Sequence, residues 1–352
     1  MRSPKRGAEL MPRFRSLSLI CASAIFLLAP QFATALDKVV LATNWKAQPE
    51  LGGFYQALAD GTYKKYGLDV TIRPGGPLVN NRVLLPTGRV DFLVGTNLLQ
   101  PFDAAKQGIP TQVVAAMFQK DPQCIIAHPD SGYAKWDDLK KAPLLMGNSG
   151  RFSFFVWMKA AHGFNERNLR PYNHNLAPFL TNKSAVQQGY ATAEPKRVEE
   201  VLGREPLVFL LADHGWNSYS TVIETRTDLI EKNPDLVQRF VDASIVGWYN
   251  YLYGDNSKGN ERIKRENSEM TDGQIAYSLR KLRDQGLIDS GESLEKGIGA
   301  INPDRVRKFY EDMVRSGLFG KSDLTPAEAV TTKFVNKGVG LELKPKTAPS
   351  RR

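Results

Sequence analysis

The sequence predicts an α/β protein made of two strand–helix units in series, followed by a mostly helical third. Three observations predict it. Apolar runs of strand length alternate with amphipathic stretches from Val39 to Leu211, the order starts afresh after Trp136, and a long stripe at helical spacing runs from Leu236 to Leu252. With 352 residues, 42 % of them hydrophobic and 10 % aromatic, the chain can bury two ordinary cores, and extensive disorder is ruled out.

In the first unit, Val39 to Ala42 is a short apolar run suited to a buried parallel strand. Pro49 opens a helix with Phe54, Ala57 and Leu58 on one face. Leu68 to Ile72 alternates as a strand, Val90 to Val94 forms another, and a helix from about Leu98 to Lys106 stops at Gly108. Strands follow at Val113 to Met117 and Cys124 to Ala127. The second unit reads as a strand at Leu144 to Met146, a turn at Gly147 to Gly150 and a helix from about Arg151 to Ala161. Strands at Val186 to Tyr190 and Leu207 to Leu211 flank a helix from Pro195 to Leu202. The C-terminal third is punctuated by helix starts. Asn233-Pro234 and Asn302-Pro303 pair a cap with proline at the first position, and Thr271 to Gln274 and Thr325 to Glu328 are capping boxes.

The formal charge of +10 belongs mostly to the two ends. Arg2, Lys5, Arg6, Arg13 and Arg15 stand against Glu9, ahead of an apolar run from Leu17 to Ala29 and of Ala33-Thr34-Ala35. A basic segment, an apolar segment and a small-x-small site make a signal peptide, 1–35, cleaved after Ala35. Its removal takes away five positive charges and one negative, leaving 317 residues at +10 − 4 = +6. Residues 341–352 read as a disordered basic tail, and without its last ten, Leu343 to Arg352, which carry Lys344, Lys346, Arg351 and Arg352, the folded body stands at 6 − 4 = +2. A basic nucleic-acid groove is therefore not expected. The apolar run of the leader is shorter than the roughly 20 residues of a membrane span. Of the two cysteines, Cys21 lies in the leader and Cys124 in a predicted strand, so no internal disulfide forms and Cys124 reads as core.

The usual catalytic signatures are missing. No Gly-x-Gly-x-x-Gly follows the first strand, there is no phosphate-binding loop and no Gly-x-Ser-x-Gly elbow. The histidines at 128, 162, 174 and 214 share no metal-binding spacing. No catalytic residue, metal or cofactor is expected. Instead, aromatic and amide residues stand at strand ends, where open α/β sheets bind ligands. Asn44 and Trp45 follow the first strand, and Thr96 and Asn97 follow the strand ending at Val94. Ser149, Gly150 and Arg151 lie at a helix N-terminus, which favours anions. Tyr190, Thr192 and Glu194 follow the strand from Val186, and Trp216 and Tyr219 follow the strand from Leu207.

The segments Asn44-Trp45, Gly53 to Ala57, Tyr66 to Val70, Val90 to Phe92, Gly147 to Gly150 and Ala191 to Pro195 resemble the solute-binding proteins of the SsuA/THI5-like (NMT1) family over most of residues 38 to 255. The resemblance implies a type II periplasmic-binding-protein fold, with two lobes about a hinged ligand cleft. It implies crossings near residues 124 to 130 and 212 to 216, with lobe 1 at 36–126 and 215–340 and lobe 2 at 127–214. It also implies a periplasmic, monomeric receptor that makes and breaks no covalent bond, and that delivers a small molecule to the permease and ATPase of an ABC importer.

For the ligand, Trp45, Tyr190, Trp216 and Tyr219 would sandwich a flat ring, and Glu194 would accept from an exocyclic amine. That combination suits a thiamine pyrimidine precursor. Arg151 instead suits an organic anion: an aliphatic sulfonate, nitrate or aromatic carboxylate. A thiamine pyrimidine synthase-like enzyme is a further alternative, which the segment Lys46 to Gly52 opposes by lacking a histidine. A periplasmic adaptor with a degenerate pocket is the last, since Ser184 stands where the family usually carries an aspartate.

Overall fold

A computed structural model describes residues 35–76 and 79–345, with residues 1, 3 and 4. The expected signal peptide and most of the expected tail lie outside the described residues. The part of the tail inside them is a correction. Leu341–Leu343 form a 3-10 turn entered through Gly340 at φ +77°, and Lys344 Nζ pairs with Asp289 at 2.7 Å, so residues 341–345 belong to the folded body.

The strands are β1 Asp37–Thr43, β2 Leu68–Arg73, β3 Phe92–Asn97, β4 Thr111–Phe118, β5 Gln123–Ala127, β6 Leu144–Met146, β7 Leu169–Pro171, β8 Val186–Tyr190, β9 Leu207–Leu210 and β10 Ser220–Arg226. They form two five-stranded mixed sheets. The first has the order β2-β1-β3-β10-β4 and the second β7-β6-β8-β5-β9. In the first, β1 runs parallel to β2 and β3, while β10 lies antiparallel between β3 and β4. The second repeats this plan, with β6 parallel to β7 and β8 and β5 antiparallel to β8 and β9. Each sheet therefore borrows its antiparallel strand from just after a crossing of the chain, which makes two lobes joined by two strands.

The first expected crossing shifts accordingly, while the second, near 212–216, falls within the return of the chain. Residues 119–122 make the first, because β5 already pairs inside the second sheet, so lobe 1 ends before β5 and not at 126. The return follows β9 through the turn Leu211–His214 and reaches the first sheet at Ser220. Both crossings are tied together by a buried carboxylate. Asp121 Oδ2 accepts from Trp216 Nε1 at 2.9 Å and from Asn97 Nδ2 at 3.4 Å, and its Oδ1 accepts from the Gln123 backbone N–H at 3.1 Å. Burial pushes the Asp121 carboxyl up to about 6.

The helical third covers lobe 1. On the helix Pro234–Tyr253, Phe240 stacks on Phe92 at 3.9 Å and on Tyr63 at 5.5 Å, and Trp248 meets Phe118 edge-on at 5.5 Å. These rings fill the space between helix and sheet. Where the same helix crosses Gly52–Ala59, side chains are dispensed with. A Cβ at Gly247 would stand 2.4 Å from the Gly53 carbonyl oxygen, and one at Gly53 would stand 2.2 Å from the Trp248 ring. A backbone oxygen cannot swing away, so Gly247→Val should destabilise the protein by about 3 kcal/mol. A urea midpoint lowered at unchanged slope checks this. Among the described residues, no helix is long and apolar enough to cross a membrane.

Candidate functional site

Between the lobes lies a cavity of about 900 Å³, at the upper end of the range for small-molecule sites. The loop after β1 brings Asn44, Trp45 and Lys46 to it, β3 ends on it with Thr96 and Asn97, and the turn after β6 adds Asn148 and Gly150. The end of β8 contributes Gln188 and Tyr190, and the helix Glu194–Leu202 contributes Glu194 and Arg197. The C-terminal ends of parallel strands from both sheets thus converge on one cleft, as the topology demands.

Trp45 is positioned by its backbone, whose carbonyl accepts from Thr43 Oγ1 at 2.8 Å and from the Gly75 N–H at 3.0 Å. Its ring faces His174 of lobe 2, centroid to centroid 5.4 Å, and His174 in turn lies 5.1 Å from Tyr172. His174 holds this place with φ +65°, a left-handed backbone that is uncommon for a side-chain-bearing residue. Asn44 Nδ2 donates to Thr96 Oγ1 at 2.9 Å. Asn97 also lines the cleft, but its Oδ1 accepts from the Leu99 N–H at 3.1 Å and its amide reaches Asp121, so it mainly secures the hinge.

Tyr190 lies where the lobes meet: its hydroxyl stands 3.3 Å from Ser220 Oγ of β10, and its backbone N–H donates to Glu194 Oε2 at 2.8 Å. Burial pushes the phenol well up. Gly150 faces Gln188, whose Oε1 accepts from Gly147 N–H at 2.7 Å. A Cβ at Gly150 would sit 2.7 Å from that same oxygen, so any larger residue here would have to displace the Gln188 side chain. Of Ser149, only the backbone is described.

Three expected site residues lie elsewhere. Trp216 is fully buried, packed 5.3 Å from Trp157 and 5.1 Å from Phe309, with its N–H committed to Asp121. Tyr219 is also buried. Its hydroxyl accepts from the Asn302 N–H at 2.9 Å, and Arg305 covers its ring at 4.0 Å. Both belong to the crossing between lobes, which needs large side chains to fill it. Arg151 ends the single turn Asn148–Arg151 and points to solvent over Phe152, because successive helical residues are about 100° apart and Gly150 takes the inward face.

Several cleft residues escape the sequence reading. His174 and Tyr172 follow the short edge strand β7, which has no apolar run to betray it. Thr221, also on the wall, has φ +48°, a genuine outlier for a β-branched residue. Glu50 lies on the turn Pro49–Leu51, only 3 % exposed. Burial pushes its carboxyl up to about 7, against the opposing pull of the Thr192 hydroxyl. Because the folded value is raised, Glu50 favours folding fully below pH 4.5, and that contribution is lost as pH rises through 7. Glu50→Gln should therefore flatten the stability profile between those limits and gain on the order of 1–3 kcal/mol over wild type at pH 8. Urea midpoints at pH 5 and pH 8 test this, and parallel profiles for the two proteins would contradict it.

The charges at the rim are paired. Lys46 Nζ meets Glu269 at 2.6 Å, Arg197 reaches the same carboxylate at 3.6 Å, and Lys106 meets Asp323 at 2.8 Å. Lys46 holds Glu269 below the usual carboxylate range. The cleft is also lined by the carboxyls of Glu50 and Glu194.

Residues 48–254, more than half of the sequence, match the family described as NMT1/THI5 like. The chain belongs to the NMT1/THI5-like family. This family member is 30 % identical over 230 residues to the riboflavin-binding protein RibY of Chloroflexus aurantiacus, a match over 62 % of this chain. The chain spans 64 %, just under two thirds, of that relative's length. Its fold is similar to the periplasmic aliphatic sulphonate binding protein SsuA of Escherichia coli (TM-score 0.60, 15 % identity, 90 % of this chain and 95 % of that one). It is also similar to the periplasmic nitrate-binding protein NrtA of Synechocystis (TM-score 0.54, 13 % identity, 85 % and 87 %). At such identities, the likeness shows the two-lobed α/β binding-protein fold and nothing finer.

Proposed function

We propose that this NMT1/THI5-like protein is the periplasmic solute-binding subunit of an ABC importer, and that it captures a planar, nitrogen-rich heteroaromatic of flavin size. It works as a monomer, is secreted through the N-terminal signal segment, and changes no covalent bond. The observation that carries the reading is the lining of the cleft. Trp45, Tyr172, His174 and Tyr190 supply aromatic surface, while the carboxyls of Glu50 and Glu194 on the wall are suited to ring N–H and amine donors. A ligand held between lobes favours the closed form through contacts that only that form makes, and an importer reads that form.

The likeness to a riboflavin-binding protein and the size of the cavity favour a fused ring system over a single pyrimidine. The thiamine pyrimidine remains the second reading, because Glu194 lines the cleft and a carboxylate accepts from an exocyclic amine. The anion reading loses its anchor with Arg151 in solvent, and the lining cations Lys46, Lys106 and Arg197 are all engaged by carboxylates.

Thermal shift against riboflavin, a 4-amino-5-hydroxymethylpyrimidine, an alkanesulfonate, nitrate and benzoate tests the proposal. Ligand at a thousandfold excess over Kd stabilises by about 4 kcal/mol, an unmistakable rise in Tm. A rise with riboflavin is expected. A rise with the anions alone would overturn the reading.

A further inference from the structure

We propose that Glu50 is a ligand-contacting carboxyl, which reads an adjacent hydrogen-bond donor and acceptor on the edge of the captured ring. The inference rests on the heteroaromatic reading above and names the residue that selects within that class. Glu50 lines the cavity although it is 3 % exposed, and its Oε1 has no hydrogen-bond partner among the described residues. Buried polar atoms are almost always paired, and an unpaired carboxyl oxygen on a residue that lines a cavity is a position awaiting a partner from outside the chain. The neighbouring Thr192 hydroxyl is close enough to pull the carboxyl down but makes no hydrogen bond of normal geometry, so it does not fill that place.

The surroundings favour the neutral acid. Glu194 and Arg197 face Glu50 from the helix Glu194–Leu202, Tyr190 faces it from β8 and Tyr251 from the helix Pro234–Tyr253. Glu194 disfavours a second negative charge, and Arg197, which favours one, is shared with Glu269. Desolvation outweighs both and holds the carboxyl up near neutrality. A protonated carboxyl offers one O–H donor and one C=O acceptor side by side. That face is complementary to a ring N–H beside a carbonyl, or to a ring nitrogen beside an amine. A sulfonate or nitrate presents acceptors only and would leave the acceptor oxygen of Glu50 unmatched, so the same group acts against anions.

Calorimetry on the full chain with riboflavin and N3-methylriboflavin, for wild type, Glu50→Gln and Glu50→Ala, tests this, with thermal melts confirming that each variant folds. Glutamine keeps a donor and an acceptor in place, so Glu50→Gln should bind riboflavin within about fivefold of wild type, and Glu50→Ala should bind at least about tenfold more weakly. Wild-type affinity should fall between pH 6 and pH 8 while that of Glu50→Gln stays level, a readout that holds even if the alanine variant does not fold. Methylation at N3 should weaken wild type but leave Glu50→Ala unchanged. Equal affinity of Glu50→Ala and wild type for riboflavin, or a pH profile shared by wild type and Glu50→Gln, would overturn the assignment of Glu50 alone. Failure of wild type to bind any flavin or aminopyrimidine would overturn the reading beneath it as well.

Discussion

Trp216→Ala should lower the thermal midpoint by about 10 °C and leave ligand affinity of the folded protein unchanged. Truncating a fully buried tryptophan costs about 4 kcal/mol, and a protein of this size loses roughly 2–4 °C per kcal/mol. The variant also strips Asp121 of the indole N–H that is its nearest donor, so the buried carboxyl loses a stabilising partner and its raised titration should move higher still. Since Asp121 and Trp216 belong to opposite crossings, the loss should fall on the coupling of the two lobes. Differential scanning calorimetry should then show a broader transition than wild type. A variant that melts like wild type but no longer binds would place Trp216 in the site after all.

Trp45→Ala should do the reverse. The indole is partly exposed and bonded to the rest of the protein mainly through its backbone, so stability should change by less than about 1 kcal/mol. A stacked ring surface is worth about 2 kcal/mol of burial and another 0.5–1.5 kcal/mol of aromatic contact, and its removal should weaken binding of a flat ligand by roughly a hundredfold. His174 would face an empty wall, and Trp45→Phe should recover most of the loss. Unchanged affinity in Trp45→Ala would mean that the ligand lies away from the cleft wall shared by Trp45 and His174.

These two tryptophans also mark how far the sequence could be read. Both follow predicted strands and both look like strand-end rings, yet only the three-dimensional course of the crossing decides that Trp216 turns inward while Trp45 faces the cleft. β1, β5 and β6 are visible as short apolar runs, and the capping signals at Asn302 and Thr325 place helix starts correctly: Asn302 accepts from Asp304 N–H, and Thr325 and Glu328 cap reciprocally. β10 escapes because Glu224 interrupts its run of β-branched residues. In the fold that glutamate is fully buried and chelated by Arg82, a partner 142 positions away that no local pattern could announce. Without β10, the first sheet lacks its borrowed strand. Glu50 is hidden for a related reason. A glutamate after proline at a helix start reads as solvated, and only the packing of α-helical and hinge residues over it makes it a buried carboxyl.

The most direct test of the central claim is a calorimetric titration of the purified chain with riboflavin, alongside an alkanesulfonate under the same conditions. The cleft described here predicts saturable one-site binding of the flavin with a negative heat-capacity change from buried apolar surface, and no heat with the sulfonate. Saturable binding of the sulfonate, with none for the flavin or for the aminopyrimidine, would contradict it.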